Sequence, residues 1–299
     1  MLAANLLWIP FTVLAAAGQS ARNAMQRELT AALGTVGATH VRFLFGFPFA
    51  LIFLVVVLIA TGLPPPKLPV AFWPWIILGA GSQILSTALM LAAMNDRSFV
   101  VTIVYTKTEV IQAAVFGLLF LGDPLTLPTL TAIVIATAGV VLMSFKGTTA
   151  VQGGLKPTLL GLASGAMLAL SVTGYRGAIL SLGHPNFVLA ATCTLAIGLV
   201  LQSVVLTLYL ALRDHAVLIA IARAWRPSLF AGFMGALASE FWFLAFALTS
   251  AANVRTLGLV EVLFAQAISY FVFKQATSSR EAYGMALIVA GVALLIWVQ

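Results

Sequence analysis

The stretch FVVTIVYTKTEVIQAAVFGLLFL, residues 99–121, decides how this chain must fold. It is apolar from end to end except for Thr102, Tyr105 and the cluster TKTEVIQ at 106–112. A bilayer's hydrocarbon core is about 30 Å thick and takes about 20 helical residues to cross. This run is long enough, and it lacks the period-2 alternation of a barrel strand, so it reads as a membrane-spanning helix. Lys107 and Glu109 then lie where a charge costs on the order of 3 kcal/mol. Each must face the protein interior, find a partner or, for the glutamate, hold a proton.

The rest of the chain has the same character. Of 299 residues, 62% are hydrophobic and only 8% charged, with mean hydropathy +1.10. Soluble domains carry roughly 25% charged residues, so a soluble globule is excluded. Ten runs are long enough to span: 5–24, 37–61, 72–94, 98–121, 127–145, 157–179, 186–211, 228–249, 253–273 and 282–298. The first is weakened at its end by Gln19, Ser20 and Arg22. The expected fold is an all-α polytopic membrane protein with no room for a soluble domain. No basic cluster precedes the first run, and Trp8 and Pro10 fall early in it, unlike a cleaved signal peptide.

The two halves of the chain repeat one pattern. With a shift of 152 residues, Glu109 falls on Glu261, Gly139 on Gly291 and Trp73 on Trp225. Leu130–Met143 falls on Ala282–Leu295, and TEV at 108–110 on VEV at 260–262. Apolar coincidences are cheap in such a chain, but a matched glutamate inside two apolar runs is not. Residues 1–147 and 153–299 thus read as two five-helix repeats. An odd number of spans inverts the second repeat, the arrangement that gives secondary transporters two near-equivalent states. The segment SFKGTTAVQGGLKP between the halves reads as a simple connection.

The formal net charge of +7 is scattered over loops, without the basic stripe that nucleic acid requires. The positives read as topology signals and as contacts to anionic lipid. Eleven of the fifteen Lys and Arg fall in loops on one side, and that count places both termini outside the cytosol. The single cysteine, Cys193, reads as a buried small residue. His40, His184 and His215 read as lying in or beside loops without metal spacing. No metal, cofactor or enzyme active site is expected.

Candidate site residues are the polar groups inside the runs. Glu109, Glu240 and Glu261 are the carboxylates. Lys107 lies two residues from Glu109, on a different helix face, so its partner is expected on another helix, at Glu240 or Glu261. Tyr105, Glu109 and Gln112 are spaced to share one face. Gln19, Gln83, Gln266 and Trp242 extend the polar set, and Arg42 is an interface or anion-steering residue. A cavity wall that binds substrate or carries protons and a buried network that locks the repeats together are the two readings of this set. Gly161 and Gly165, like Gly235 and Ser239, have the small-xxx-small spacing of close helix contacts. LGDPLT, 121–126, reads as a tight turn.

The run through Leu121, Gly122, Asp123, Pro124, Leu125 and Thr126, followed by Ala138-Gly139-Val140, resembles the drug/metabolite transporter superfamily, in particular its ten-helix EamA-like exporters. Ala290-Gly291-Val292 repeats the last element, and Arg42 matches an arginine that the family often carries early in its second span. The second turn departs from the pattern at 274–278, and charged TKTEV replaces the family's usual small, apolar run. The resemblance implies an inner (plasma) membrane exporter with a central substrate cavity, both termini in the cytoplasm and protons as a candidate coupling ion. Together with the polar fourth run, it points to a small polar or zwitterionic metabolite such as an amino acid. Organic cations or nucleobases, import, and a non-transporting structural role are the alternatives. The expected partners are a small-molecule substrate and lipid, with the chain acting as a monomer or weak dimer.

Overall fold

The computed structural model describes residues 6–96, 105–144, 155–271, 274 and 277–298. Residues 98–104 of the fourth run, the segment 145–154 between the halves, and Arg97 and Lys146 of the charge count lie outside them. All regular structure in the described residues is helical. The elements are α1 (Trp8–Leu44), α2 (Phe47–Thr61), α3 (Phe72–Asp96), α4 (Glu109–Phe116), α5 (Leu127–Ser144), α6 (Leu155–Ser181), α7 (Phe187–Arg213), α8 (His215–Arg223), α9 (Trp225–Leu248), α10 (Ala251–Leu257), α11 (Glu261–Phe271) and α12 (Ser279–Trp297).

Five helical stretches among the described residues are long and apolar enough to cross a membrane: Val36–Thr61, Thr158–Ser181, Phe187–Arg213, Trp225–Leu248 and Ser279–Trp297. Glu109–Leu121 and Leu127–Met143 are shorter and equally apolar. The protein is therefore a multi-pass helical membrane protein. Large apolar side chains point outward along these segments, Ile59, Leu127 and Leu212 among them. Such exposure suits lipid and would be a liability in water.

Local chemistry sets the helix ends. Ser278 and Glu281 form a capping box at the start of α12: the Ser278 Oγ accepts from the Glu281 N–H, and the Glu281 carboxylate accepts from the Ser278 N–H. Asn186 caps α7 through its side chain. At 117–121 the fourth run ends in a π-helical turn closed by Gly122 at φ 67°. Only glycine takes that angle without strain, so the turn read from LGDPLT is present. Where the first run was expected to stop near residue 24, α1 stays helical to Leu33 and breaks at Gly34. The first two runs are thus joined by helix and not by a loop. His40, expected beside a loop, lies inside α1, fully buried, with Nε2 at 3.0 Å from the Thr207 hydroxyl.

The chain forms two compact units, each drawn from both halves of the sequence. The first comprises Met1–Gly81 and Gly174–Leu248, the second Ser82–Thr173 and Thr249–Gln299. In the first unit, α1 packs along α9 and α2 against α7. Leu33, Ala38, Val41, Leu210, Ile221 and Ala231 form a core cluster there, with Ile221 supplied by the short helix α8.

In the second unit, α5 packs along α12. A Cβ placed on Gly139 would lie 2.6 Å from the Gly284 carbonyl oxygen and 2.9 Å from the Ile288 nitrogen. One placed on Gly291 would lie 2.8 Å from the Ala132 carbonyl oxygen and 2.6 Å from the Ala136 nitrogen. The pairs 132 and 284, 136 and 288, and 139 and 291 are each separated by 152, the shift that aligns the two halves. The packing of α5 on α12 is therefore reciprocal, as twofold-related partners require.

This crossing sets a stability test. Gly139→Ala must push two helix backbones apart and is expected to cost about 1–3 kcal/mol, the range for overpacked interiors. Gly81→Ala, in α3 with nothing within 4 Å of the added carbon, is expected to be neutral or to stabilise by up to about 1 kcal/mol. Thermal unfolding of both variants in detergent measures the contrast, and equal midpoints would refute the close-contact account.

Candidate functional site

Two helices of the second unit are interrupted at matching places. In the fourth run, Tyr105 and Thr106 are helical, Lys107 and Thr108 form a turn, and α4 begins at Glu109. In the ninth, α10 ends at Leu257, Gly258–Val260 form a 3-10 turn, and α11 begins at Glu261. Each matched glutamate is thus the first residue of the helix that follows a break. The positive end of the helix dipole favours a carboxylate there.

Both carboxylates are paired, each with a cation from the other half of the sequence. The Lys107 ammonium donates to Glu261 Oε1, and the Arg255 guanidinium donates to Glu109 Oε1. Arg255 also lies close enough to Glu261 to feel its charge. The four side chains are 2–15% exposed and sum to zero charge. Of the two partners expected for Lys107, Glu261 is the one found.

Around this quartet, Gln112 donates from Nε2 to the Thr108 hydroxyl at 3.1 Å. Glu109 Oε2 and Gln112 Oε1 are buried acceptors with no protein donor. They lie three residues apart on α4 and share a face. Tyr105 was expected on that face too, but the turn at Lys107–Thr108 intervenes, and its phenol oxygen accepts from the Thr158 hydroxyl of α6. A Cβ on Gly161 would meet Tyr105 Cβ at 2.7 Å, and one on Gly165 the Thr106 carbonyl at 3.0 Å. The GLASG motif therefore seats α6 against the broken helix. Gln266 donates to the Thr277 hydroxyl at 3.2 Å. Gln83 opens this unit's part of α3, and its carbonyl accepts from Thr87.

Glu240, Trp242, Gln19 and Arg42 belong to the first unit. The Trp242 indole donates to Gln19 Oε1 at 3.2 Å, joining α9 to α1. Glu240 is 8% exposed, with Oε1 against the Thr192 hydroxyl of α7. Arg42 lies in the last turn of α1, its guanidinium carbon 5.3 Å from the Phe43 ring centre. Among the described residues, no group of three or more His, Cys, Asp or Glu could hold a metal.

Two site residues escaped the sequence reading. Arg255 was counted as a loop positive because the ninth run was taken to begin at residue 253; it sits inside α10, paired with Glu109. Its signal was its place in the otherwise uncharged stretch SAANVRTLGLV. Thr192 gave no signal, since nothing in a sequence separates a helix threonine that meets a glutamate from one that does not.

Removing one member of a buried pair leaves the other charge uncompensated, which costs about 3–5 kcal/mol. Arg255→Met and Glu109→Gln are each expected to lose stability on that scale. The double variant is expected to recover most of the loss, because no charge is stranded. Thermal unfolding across the full cycle checks this, and additive losses would mean that the two residues do not interact.

Residues 6–145 match a family described as the EamA-like transporter family. No curated protein matches the sequence. A solved structure described only as "Crystal structure of protein" is similar over 99% of this chain and 96% of its own, with TM-score 0.74 and 15% identity. Identity that low speaks for the fold alone, and it does so over the full length. Residues 6–145 thus resemble an EamA-like transporter domain, and the chain shares its helical fold with that structure throughout.

Proposed function

We propose that the whole chain is a secondary transporter of the drug/metabolite superfamily, built from two inverted five-helix repeats, 1–147 and 153–299. It exports a small zwitterionic metabolite such as an amino acid by alternating access. One observation carries the reading: two broken helices, each resuming at a matched glutamate, are tied by ion pairs that cross between the sequence halves. Interrupted helices at corresponding places in the two halves are where transporters bind solute. The reciprocal contacts of Gly139 and Gly291 support the twofold relation. The outward direction and the inner-membrane location rest on the EamA resemblance.

The quartet's charge favours a zwitterion. Lys107, Arg255, Glu109 and Glu261 already sum to zero, so a ligand bearing a net charge would add an unbalanced charge to a buried site. A zwitterion adds none. Its ammonium group would satisfy the acceptors left open at Glu109 Oε2 and Gln112 Oε1, and its carboxylate would compete for Lys107 or Arg255.

Reconstitution tests this. Liposomes holding the purified protein are loaded with unlabelled amino acids and offered radiolabelled neutral ones, with organic cations and nucleobases as parallel probes. Exchange of a zwitterion is expected, with a loss of at least tenfold in Glu109→Gln. Exchange of cations alone would favour the cation reading, and exchange unchanged by Glu109→Gln would make the quartet purely structural.

A further inference from the structure

The three membrane carboxylates are not equivalent. Glu109 and Glu261 each sit against a basic side chain; among the described residues none is paired with Glu240. Its partner among them is the Thr192 hydroxyl, and Oε2 is buried without one. The elements packed on α9 include α1, α2, α7 and α8, and α6, whose Tyr175 ring centre lies 4.7 Å from that of Phe243. Their titratable groups with described side chains are His40 and Arg42 on α1, Tyr175 and Arg176 on α6, Cys193, Tyr209 and Arg213 on α7, and His215 and Arg223 on α8, with none on α2. Arg226 lies on α9 itself, and Arg176 donates to the Phe246 carbonyl of that helix. Among the described residues, Glu240 forms no ion pair and is buried against Thr192.

Two hydrogen-bond arrangements fit the contacts of Glu240, one for each protonation state. A threonine hydroxyl has one proton to donate. Thr192 Oγ1 lies 2.8 Å from the Val188 carbonyl, four residues back on α7. Thr173, Thr194 and Thr256 make the same bond to the carbonyl four residues before them, at 2.7–2.9 Å. With Thr192's proton on Val188, the contact with Glu240 Oε1 is a hydrogen bond when the carboxyl holds a proton; with Glu240 ionised, the hydroxyl turns to the carboxylate. A carboxyl buried inside a membrane span beside a hydroxyl, without a described cation, favours the first arrangement.

We infer that Glu240 is a proton-binding site: a neutral carboxylic acid that donates to Thr192 and is the group through which this transporter takes up and releases protons. The claim rests on the transport reading for its coupling role and, for the proton itself, on the burial of a carboxyl whose Oε2 has no described partner. On release, the proton passes from Glu240 to water. The Thr192 hydroxyl then turns from Val188 to Glu240 Oε1, and the carboxylate gains a donor. Uptake reverses both moves. Glu109 and Glu261, already neutralised by cations, hold the broken helices and meet the substrate.

Infrared spectroscopy of the full-length protein in lipid vesicles tests the site without a known substrate. At neutral pH a protonated-acid carbonyl band is expected, lost in Glu240→Gln and moved to higher frequency in Thr192→Val, which removes the acceptor. The same vesicles are then given an amino-acid mixture with and without an imposed pH gradient. Glu240→Gln is expected to keep exchange and lose gradient-driven accumulation by at least tenfold, and Glu240→Asp to restore part of it. A band unchanged in Glu240→Gln, or accumulation that survives it, overturns the inference. If wild-type vesicles move none of the probes while the band behaves as stated, the transport reading fails and the proton site stands. Thr192→Val keeps the test open should Glu240→Gln misfold.

Discussion

An unpaired charge has no place in hydrocarbon, and this constraint organises the second unit. Lys107, Glu109, Arg255 and Glu261 sit in its interior, and each is paired with one of opposite sign. The pairs join residues 154 and 146 positions apart in sequence. They therefore act as long-range ties between helices that local propensity alone would leave independent. A buried pair is weak evidence for net stability, since desolvation opposes it. Its stronger effect is on specificity: any register that separates Lys107 from Glu261, or Arg255 from Glu109, strands charges in a medium that cannot solvate them.

The helix breaks and the ion pairs explain one another. The turn at Lys107–Thr108 starts a new helix at Glu109, and the 3-10 turn at Gly258–Val260 does the same at Glu261, so each carboxylate sits at the positive end of a helix dipole. Irregular backbone inside a membrane survives only where protein or water covers it. Here α6 provides cover on one side, through the glycines that let it approach Tyr105 and Thr106.

The fold class was legible because bilayer thickness imposes run length, and run length is written directly in composition. The pairing of Glu109 with Glu261 in the aligned halves was legible because both stand out against apolar neighbours. Helix boundaries were not. The continuation of α1 past residue 24 depends on tertiary support for a polar stretch, and no local signal reports that. His40 and Arg255 were misplaced for the same reason: a polar residue near the end of an apolar run looks like a loop residue until a partner, Thr207 or Glu109, is known. Partners come from other helices, and a single sequence does not list its contacts.

The division of labour among the glutamates follows from that last point. Sequence spacing treats Glu109, Glu240 and Glu261 alike, as acids inside apolar runs. Environment separates them. A carboxylate beside a guanidinium or ammonium gains little by taking a proton, because the pair is already neutral and protonation would strand the cation. A carboxyl with only a hydroxyl for company loses nothing by holding one. A coupled carrier needs both kinds of group, a neutral frame that a zwitterion can enter without adding net charge and a separate acid whose charge changes with the side it faces. In this chain the two glutamates with cation partners lie in one compact unit, and the one without a described cation lies in the other, so the two kinds of environment fall on different helices.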